Sequence, residues 1–212
     1  MQPLPVLARV AAEIGEMTLG TGIMLLALQH PVDVAESLAT LDVICGGRLV
    51  FGVGLGYRDV EFDAFGIPRG RRLSRFLEAL DVVRLLWTED SVTFHGEHFH
   101  LEDVGLTMKP RQKPRPPIVV AASNDKMVRR VARIGDAWAI AGHATLATLE
   151  RLLLAAGFAE VRPRRGRFFD LWATARKPAA APVRPMARWE RRDRWHPKRR
   201  RPLRHSHNAD QK

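Results

Sequence analysis

Apolar residues at Leu4, Leu7, Val10, Ala11 and Ile14 recur every three or four positions, the period of one helix face, and Gly15 follows as a stop. A helix over 4–15 is predicted. Met17 to Leu28 is apolar with little alternation, which predicts a strand buried on both faces. His30-Pro31 then opens a second helix. Pro31 suits a first-turn position, and Asp33 suits the positive end of the helix dipole. Val34, Leu38, Leu41 and Cys45 fall on one side of that helix, Glu36 and Thr40 on the other, and Gly46-Gly47 end it. Leu49–Val53 reads as the next strand. Strand, helix and strand without a hairpin turn is the pattern of a parallel sheet.

The later chain keeps this alternation. Ser74–Trp87 is predicted as a helix with Phe76, Leu77, Leu80, Val83, Leu86 and Trp87 inward. Ser91–Phe94 and His98–Leu101, parted by Gly96, predict a small hairpin. Four prolines in Lys109–Pro117 predict an extended connector. Ile118–Ala122, Asp125–Ile134 and Ala137–Ala141 follow as strand, helix and strand. Beyond about residue 160 no period is sustained, and proline and arginine dominate.

Charge sharpens that boundary. The net charge is +11, but residues 161–212 alone hold 17 basic and 4 acidic residues. Residues 1–160 hold 17 basic and 19 acidic, so the basicity belongs to the tail. The single cysteine, Cys45, excludes an internal disulfide and fits a reducing compartment. No apolar run approaches the ~20 residues of a membrane span, and Arg9 interrupts what would be a secretory leader. A cytoplasmic protein is expected, with no membrane partner.

Gly52-Val53-Gly54-Leu55-Gly56 follows a strand, yet it is not a dinucleotide fingerprint. Its third glycine falls one position early, since Tyr57 stands where that glycine belongs, and no helix opens at once. Close approach of a planar ligand to a bare strand end accounts for the glycines; tight strand packing is the alternative. Ser123-Asn124-Asp125, between a strand and a helix, offers backbone N–H groups and a cap for a phosphate, or a helix cap alone. Arg48 could reach an anion, but after Gly-Gly it is expected to bond the carbonyls of a helix end. Nothing basic but Arg48 flanks Cys45, so no nucleophilic role is expected. His95, His98 and His100 lack an evident further ligand, and no metal site is expected.

Many residues in order carry a resemblance: His30-Pro31, Ala35-Glu36, Leu41-Asp42, Gly46-Gly47-Arg48, Gly52-Val53-Gly54, Glu61-Phe62 and Phe65-Gly66-Ile67-Pro68. It continues through Arg72, Arg75, Glu78, Leu86-Trp87-Thr88, Phe94-His95-Gly96, Pro116-Pro117 and Gly135-Asp136-Ala137-Trp138. From residue 3 to about 150 the chain resembles the bacterial luciferase-like monooxygenases, TIM-barrel enzymes that use reduced FMN or the deazaflavin coenzyme F420. Val104-Gly-Leu-Thr-Met-Lys-Pro is similar to the F420-using branch. The resemblance implies the α/β class and a partial (β/α)8 TIM barrel, with about four of its eight strands, near the third to the sixth. It implies a flavin- or F420-dependent oxidoreductase of monooxygenase type, acting on a small-molecule substrate, and leaves room for a homodimer. It places the cofactor against His30, Gly54, Leu55, Arg75, Ala122, Ser123 and Asn124, with Arg75 as the candidate cation. It names no catalytic acid or base. Ala121-Ala122 and Ala137 depart from glycines common in the family, and the added methyls crowd a close backbone approach.

The expected division is a luciferase-like partial barrel over 1–155 and an Arg/Pro-rich extension over 156–212, disordered after about 178. Residues 152–178 weakly resemble the last helix and strands of class I methyltransferases, as a gene fusion or a reading-frame change would leave them. Lys198–Arg201 with Trp189 and Trp195 could contact nucleic acid. Two alternatives to the enzyme therefore stand: an inactive barrel fragment, and a binding protein acting through its basic tail.

Overall fold

Pro3–Ala11 forms the first helix, α1, shorter than predicted: after Ala11 the chain closes a turn in which Glu13 and Ile14 both donate to the Val10 carbonyl. The computed structural model describes residues 3–140, 150–151, 153–154, 159–165 and 171–176. All of them belong to the compact unit Met1–Pro178, so the expectations for the basic tail beyond it lie outside the described residues.

The predicted strand over 17–28 is instead two short ones. β1 (Leu19–Gly20) and β2 (Met24–Leu25) both run parallel to β3 (Leu49–Gly54), and Leu26–Leu28 is one turn of 3-10 helix. Gly20 pairs with Val50 and Met24 with Val53, so three residues, Thr21–Ile23, face two, Phe51 and Gly52. That is a bulge, where an extra residue interrupts the ladder. The buried Thr21 hydroxyl covers the gap, donating to Gly52 O at 2.7 Å and accepting from Gly52 N at 2.9 Å. The run was apolar enough for a strand, but a hydrophobic pattern does not register one extra residue.

Helix α2 (Pro31–Ile44) starts as expected, with His30 extended and Pro31 first in the helix. Val34, Leu38, Leu41 and Cys45 are buried, and Glu36 and Thr40 are exposed. Gly46 and Gly47 adopt φ of +69° and +83°, the left-handed turn in which glycine is least strained. Arg48 then does what its position suggests. Its Nε donates to Cys45 O at 2.7 Å, and its Nη1 donates to Met17 O at 2.8 Å and to Gly15 O. One guanidinium thereby ties the end of α2 to the entry of β1.

After β3 comes a short helix absent from the sequence reading, α3 (Asp59–Ala64), and then α4 (Arg72–Thr88). Phe76, Leu80, Val83, Leu86 and Trp87 are buried. Trp87 meets Phe51 of β3 edge-on at 5.6 Å, and its Nε1 donates to the Ala35 carbonyl of α2 at 2.9 Å, so its one polar atom is satisfied where it is buried. β4 (Val92–His95) and β5 (His100–Val104) form the antiparallel hairpin, one to three residues beyond the predicted bounds. The proline-rich connector is cis at Lys113–Pro114 and leads into β6 (Ile118–Ala122). α5 (Asp125–Ile134) and β7 (Ala137–Ile140) complete the alternation.

The sheet order is β1–β3–β6–β7, all parallel, with β2 also on β3. Helices between parallel strands make this part of a (β/α)8 barrel, with four strand positions among the described residues. β8 (Ala159–Arg165) and β9 (Leu171–Arg176) pair antiparallel as a separate hairpin.

Candidate functional site

In parallel α/β sheets, ligands gather at the carboxyl ends of the strands, where the strand-to-helix loops converge. Here β3 ends at Gly54 and β6 at Ala122, and both ends open into one cleft of about 480 Å³. Leu55, Ser123 and Asn124 line the same cleft. Five of the seven residues singled out from the sequence are therefore neighbours, although almost seventy positions separate the two stretches.

His30 and Arg75 are placed elsewhere. Arg75 lays its guanidinium carbon 4.5 Å from the centre of the Phe99 ring and donates from Nε to Ala27 O at 2.9 Å. Burial lowers its pKa, and the nearby Glu78 carboxylate opposes that shift. His30 meets the same Phe99 edge-on at 5.7 Å. Neither lines the cleft.

The glycines of β3 owe their identity to packing. A methyl at Gly52 would lie 1.9 Å from the Thr21 carbonyl oxygen, and one at Gly54 would lie 2.2 Å from Ile23 Cδ1. At Gly52 the room a planar ligand was expected to use is filled by the Thr21 carbonyl, whereas Gly54 still lines the cleft beside Ile23. Gly56 differs: its φ is +74°, so it turns the chain from β3 towards α3.

On the β6 side, Trp138 of β7 donates from Nε1 to Ala122 O at 2.9 Å and fixes the strand end. Asn124 caps α5, its Oδ1 accepting from Met127 N at 2.9 Å. That leaves earlier N–H groups of the first turn to face outward. Ser123 is exposed, and its hydroxyl has no partner among the described residues. Ala121 and Ala122 are 9 % and 5 % exposed, and both line the cleft.

Three charged side chains line the cleft: Arg58, Glu61 and Arg72. Arg58 pairs with Glu61 at 3.5 Å, and among the described residues Arg72 donates only to the Arg69 carbonyl, at 2.9 Å. The sequence reading passed over both arginines as ligands. Arg72 and Arg75 stand one turn apart on α4, and periodicity alone does not say which one reaches the strand ends.

Of the three hairpin histidines, His98 serves attachment. Glu78 of α4 accepts from Glu97 N at 2.9 Å and His98 N at 2.8 Å, and His98 Nε2 lies 2.8 Å from Ser74 Oγ. Possible ligand atoms of Glu78, Glu97 and His98 lie within 4.8 Å of one another, but these contacts fasten the hairpin to α4.

A family model described as luciferase-like monooxygenase matches residues 1–209. The chain belongs to the luciferase-like monooxygenase family. Among curated relatives of this luciferase-like chain, an F420-dependent glucose-6-phosphate dehydrogenase of Kineococcus radiotolerans is 34 % identical over 133 residues, covering 61 % of this chain and 39 % of that protein. An F420-dependent hydroxymycolic acid dehydrogenase of Mycobacterium tuberculosis is 33 % identical over 142 residues, covering 65 % and 39 %. The crystal structure of monooxygenase RslO1 from Streptomyces bottropensis superposes with a TM-score of 0.68 at 30 % identity, covering 73 % of this chain and 48 % of RslO1. The luciferase-like chain spans half or less of the length of each. No described helix is long and apolar enough to cross a membrane.

Proposed function

We infer that the cleft at the ends of β3 and β6 holds a phosphorylated ring cofactor, FMN or F420, and that the chain works as a flavin- or F420-dependent oxidoreductase on a small-molecule substrate. One observation carries this reading: Gly54, Leu55, Ala122, Ser123 and Asn124 share a single cleft. Its volume of about 480 Å³ is of the size that binds small organic ligands. The residues fit the group. Leu55 and Ile23 offer apolar surface to a ring, and the start of α5 offers N–H groups and the free Ser123 hydroxyl to a phosphate. Bound there, reduced FMN would deliver electrons to oxygen, whereas reduced F420 would deliver a hydride to the substrate. The residues of the chain would orient the ring, anchor its phosphate and exclude water from its apolar side.

The monooxygenase form follows the family description and the likeness to RslO1. The hydride-transfer form has its own support, because two relatives above 30 % identity are F420-dependent dehydrogenases. A cytoplasmic setting belongs to the same reading, on the strength of one cysteine, buried Cys45. Titration of FMN and of F420 with the purified chain tests it. Saturable quenching of one of the two is expected, and its product with oxygen or with a reducible substrate then assigns the chemistry. No quenching of either cofactor at high protein concentration would overturn the proposal.

A further inference from the structure

A second cavity adjoins the cleft. It has a volume of about 340 Å³, lies between the end of β2, the first turns of α2 and the end of α3, and shares Ile23, Leu25 and Glu61 with the cleft. Met24, Leu25, Leu28, Val34 and Phe65 give it an apolar wall. Phe65 is 58 % exposed, and an apolar ligand laid against it takes that surface out of water. Beside the wall stand Gln29, Asp33 and Ser37, the last two one turn apart on α2. None of these three side chains has a hydrogen-bond or ion-pair partner among the described residues. An apolar wall with a few polar groups at one edge is the make-up of a site for a small organic molecule.

Charge narrows the occupant. Both charged groups on the lining are carboxylates: Glu61 has Arg58 beside it at 3.5 Å, and Asp33 has no counter-charge among the described residues. An anion seated here would meet a like charge and no cation on the lining. A hydroxyl would donate to Asp33, and a protonated amine would add an ion pair. We propose that this cavity holds the substrate, and that the substrate is an apolar molecule carrying a hydroxyl or amino group and no phosphate or carboxylate. Given the cofactor reading above, on which this rests, a molecule seated here reaches the ring across the boundary at Ile23, Leu25 and Glu61. The wall holds its body, the α2 edge holds its polar group, and Asp33 turns anions away.

NMR of the intact chain with isotope-labelled methionine methyl groups tests this, because Met24 lines the cavity and Met127 the cleft. Phenylbutanol, phenylbutylamine and phenylbutyrate share one apolar body and end in a neutral, a cationic and an anionic group. The alcohol and the amine should shift Met24 saturably, and phenylbutyrate should bind at least roughly tenfold more weakly. Asp33→Asn should erase that discrimination and weaken the amine by roughly tenfold, with the alcohol changed by about twofold at most. Phe65→Ala should weaken all three probes by roughly threefold or more. Both positions are exposed, so neither variant disturbs the core. Equal affinity for alcohol and carboxylate, a shift of Met127 in place of Met24, or no saturable shift overturns the proposal. With FMN or F420 bound, phenylbutanol must still shift Met24; competition between them would put both in one space and overturn it too. Should Met127 answer neither FMN nor F420, the cofactor reading fails on its own, and the Met24 titrations still decide the cavity and its preference.

Discussion

Gln112 satisfies both oxygens of Asp42 across 70 residues of sequence: its backbone N–H donates to Oδ2 at 2.9 Å and its Nε2 to Oδ1 at 2.7 Å. Asp42 is fully buried on α2, and no cation pairs with it among the described residues. The same Gln112 amide donates to Leu49 O at 2.8 Å, so the pair joins the end of α2, the start of β3 and the connector. Removing either partner strands a buried polar group. Asp42→Ala or Gln112→Ala should each cost about 2–3 kcal/mol in chemical denaturation. The double mutant should cost less than the sum by at least ~1 kcal/mol. Additive losses would show that the contact is incidental.

Gly52 and Gly54 should respond differently to the same methyl group. At Gly52 the obstacle is the backbone carbonyl of Thr21, which cannot turn aside; at Gly54 it is the far end of the Ile23 side chain. Gly52→Ala should destabilise by about 3 kcal/mol or prevent folding, and Gly54→Ala by about 1–2 kcal/mol, the range of overpacked cores. Ile23→Ala should rescue Gly54→Ala and leave Gly52→Ala unrelieved. Thermal melts of the four variants decide it, and equal losses at the two glycines would refute the packing account.

Arg48 is a structural arginine. Its three carbonyl partners hold the end of α2 to residues 15–17. Arg48→Ala should lower stability by about 1–2 kcal/mol. Cofactor quenching by the folded fraction should be unchanged. A selective loss of FMN binding in Arg48→Ala would reassign it to the ligand.

Acid should loosen the join between the connector and β7. Asp136 accepts from Arg115 at 2.6 and 3.0 Å and from Ile118 N at 2.8 Å. Partial burial alone would raise its pKa, but the hydrogen bonds from Arg115 and Ile118, with the charges of Arg115 and Arg84, outweigh burial and hold it below the ordinary carboxylate range. A carboxylate depressed in the folded state contributes stability that is complete above the unfolded value and is lost as pH falls through the folded one. Asp81, raised by burial despite Arg84, has the opposite sign, so the comparison must be made against Asp136→Asn. Denaturation between pH 5 and ~2.5 should show a steeper decline in the parent chain than in that variant. Identical slopes would mean that the pair adds nothing.

How far the sequence could be read depended on whether each feature was local. α2, β6 and α5 lie where periodicity, Pro31 and the Gly46-Gly47 stop put them, because each signal sits within a few residues of what it controls. The 17–28 run was misread as one strand, since the bulge at Thr21–Ile23 is set by register against β3. α3 was missed because six residues, of which only Phe62 is buried, leave too short a stripe to read. Gly54, Ser123 and Asn124 could be singled out from the glycine cluster and the strand-to-helix turn, whereas Leu55 and Ala122 came with the family resemblance; all five line one cleft. That Arg72 and not Arg75 lines the cleft could not be read, since it depends on how α4 is rotated against Phe99 and the strand ends.

The sequence alone determined the alternation of helix and parallel strand, the family, and the concentration of positive charge after residue 160. Those follow from residue order and composition, which carry period, turn chemistry and charge directly. Tertiary structure decided why β3 carries its glycines, which arginine of α4 lines the cleft, and that Asp42 is held by Gln112. These are distances between groups far apart along the chain, and only packing fixes them.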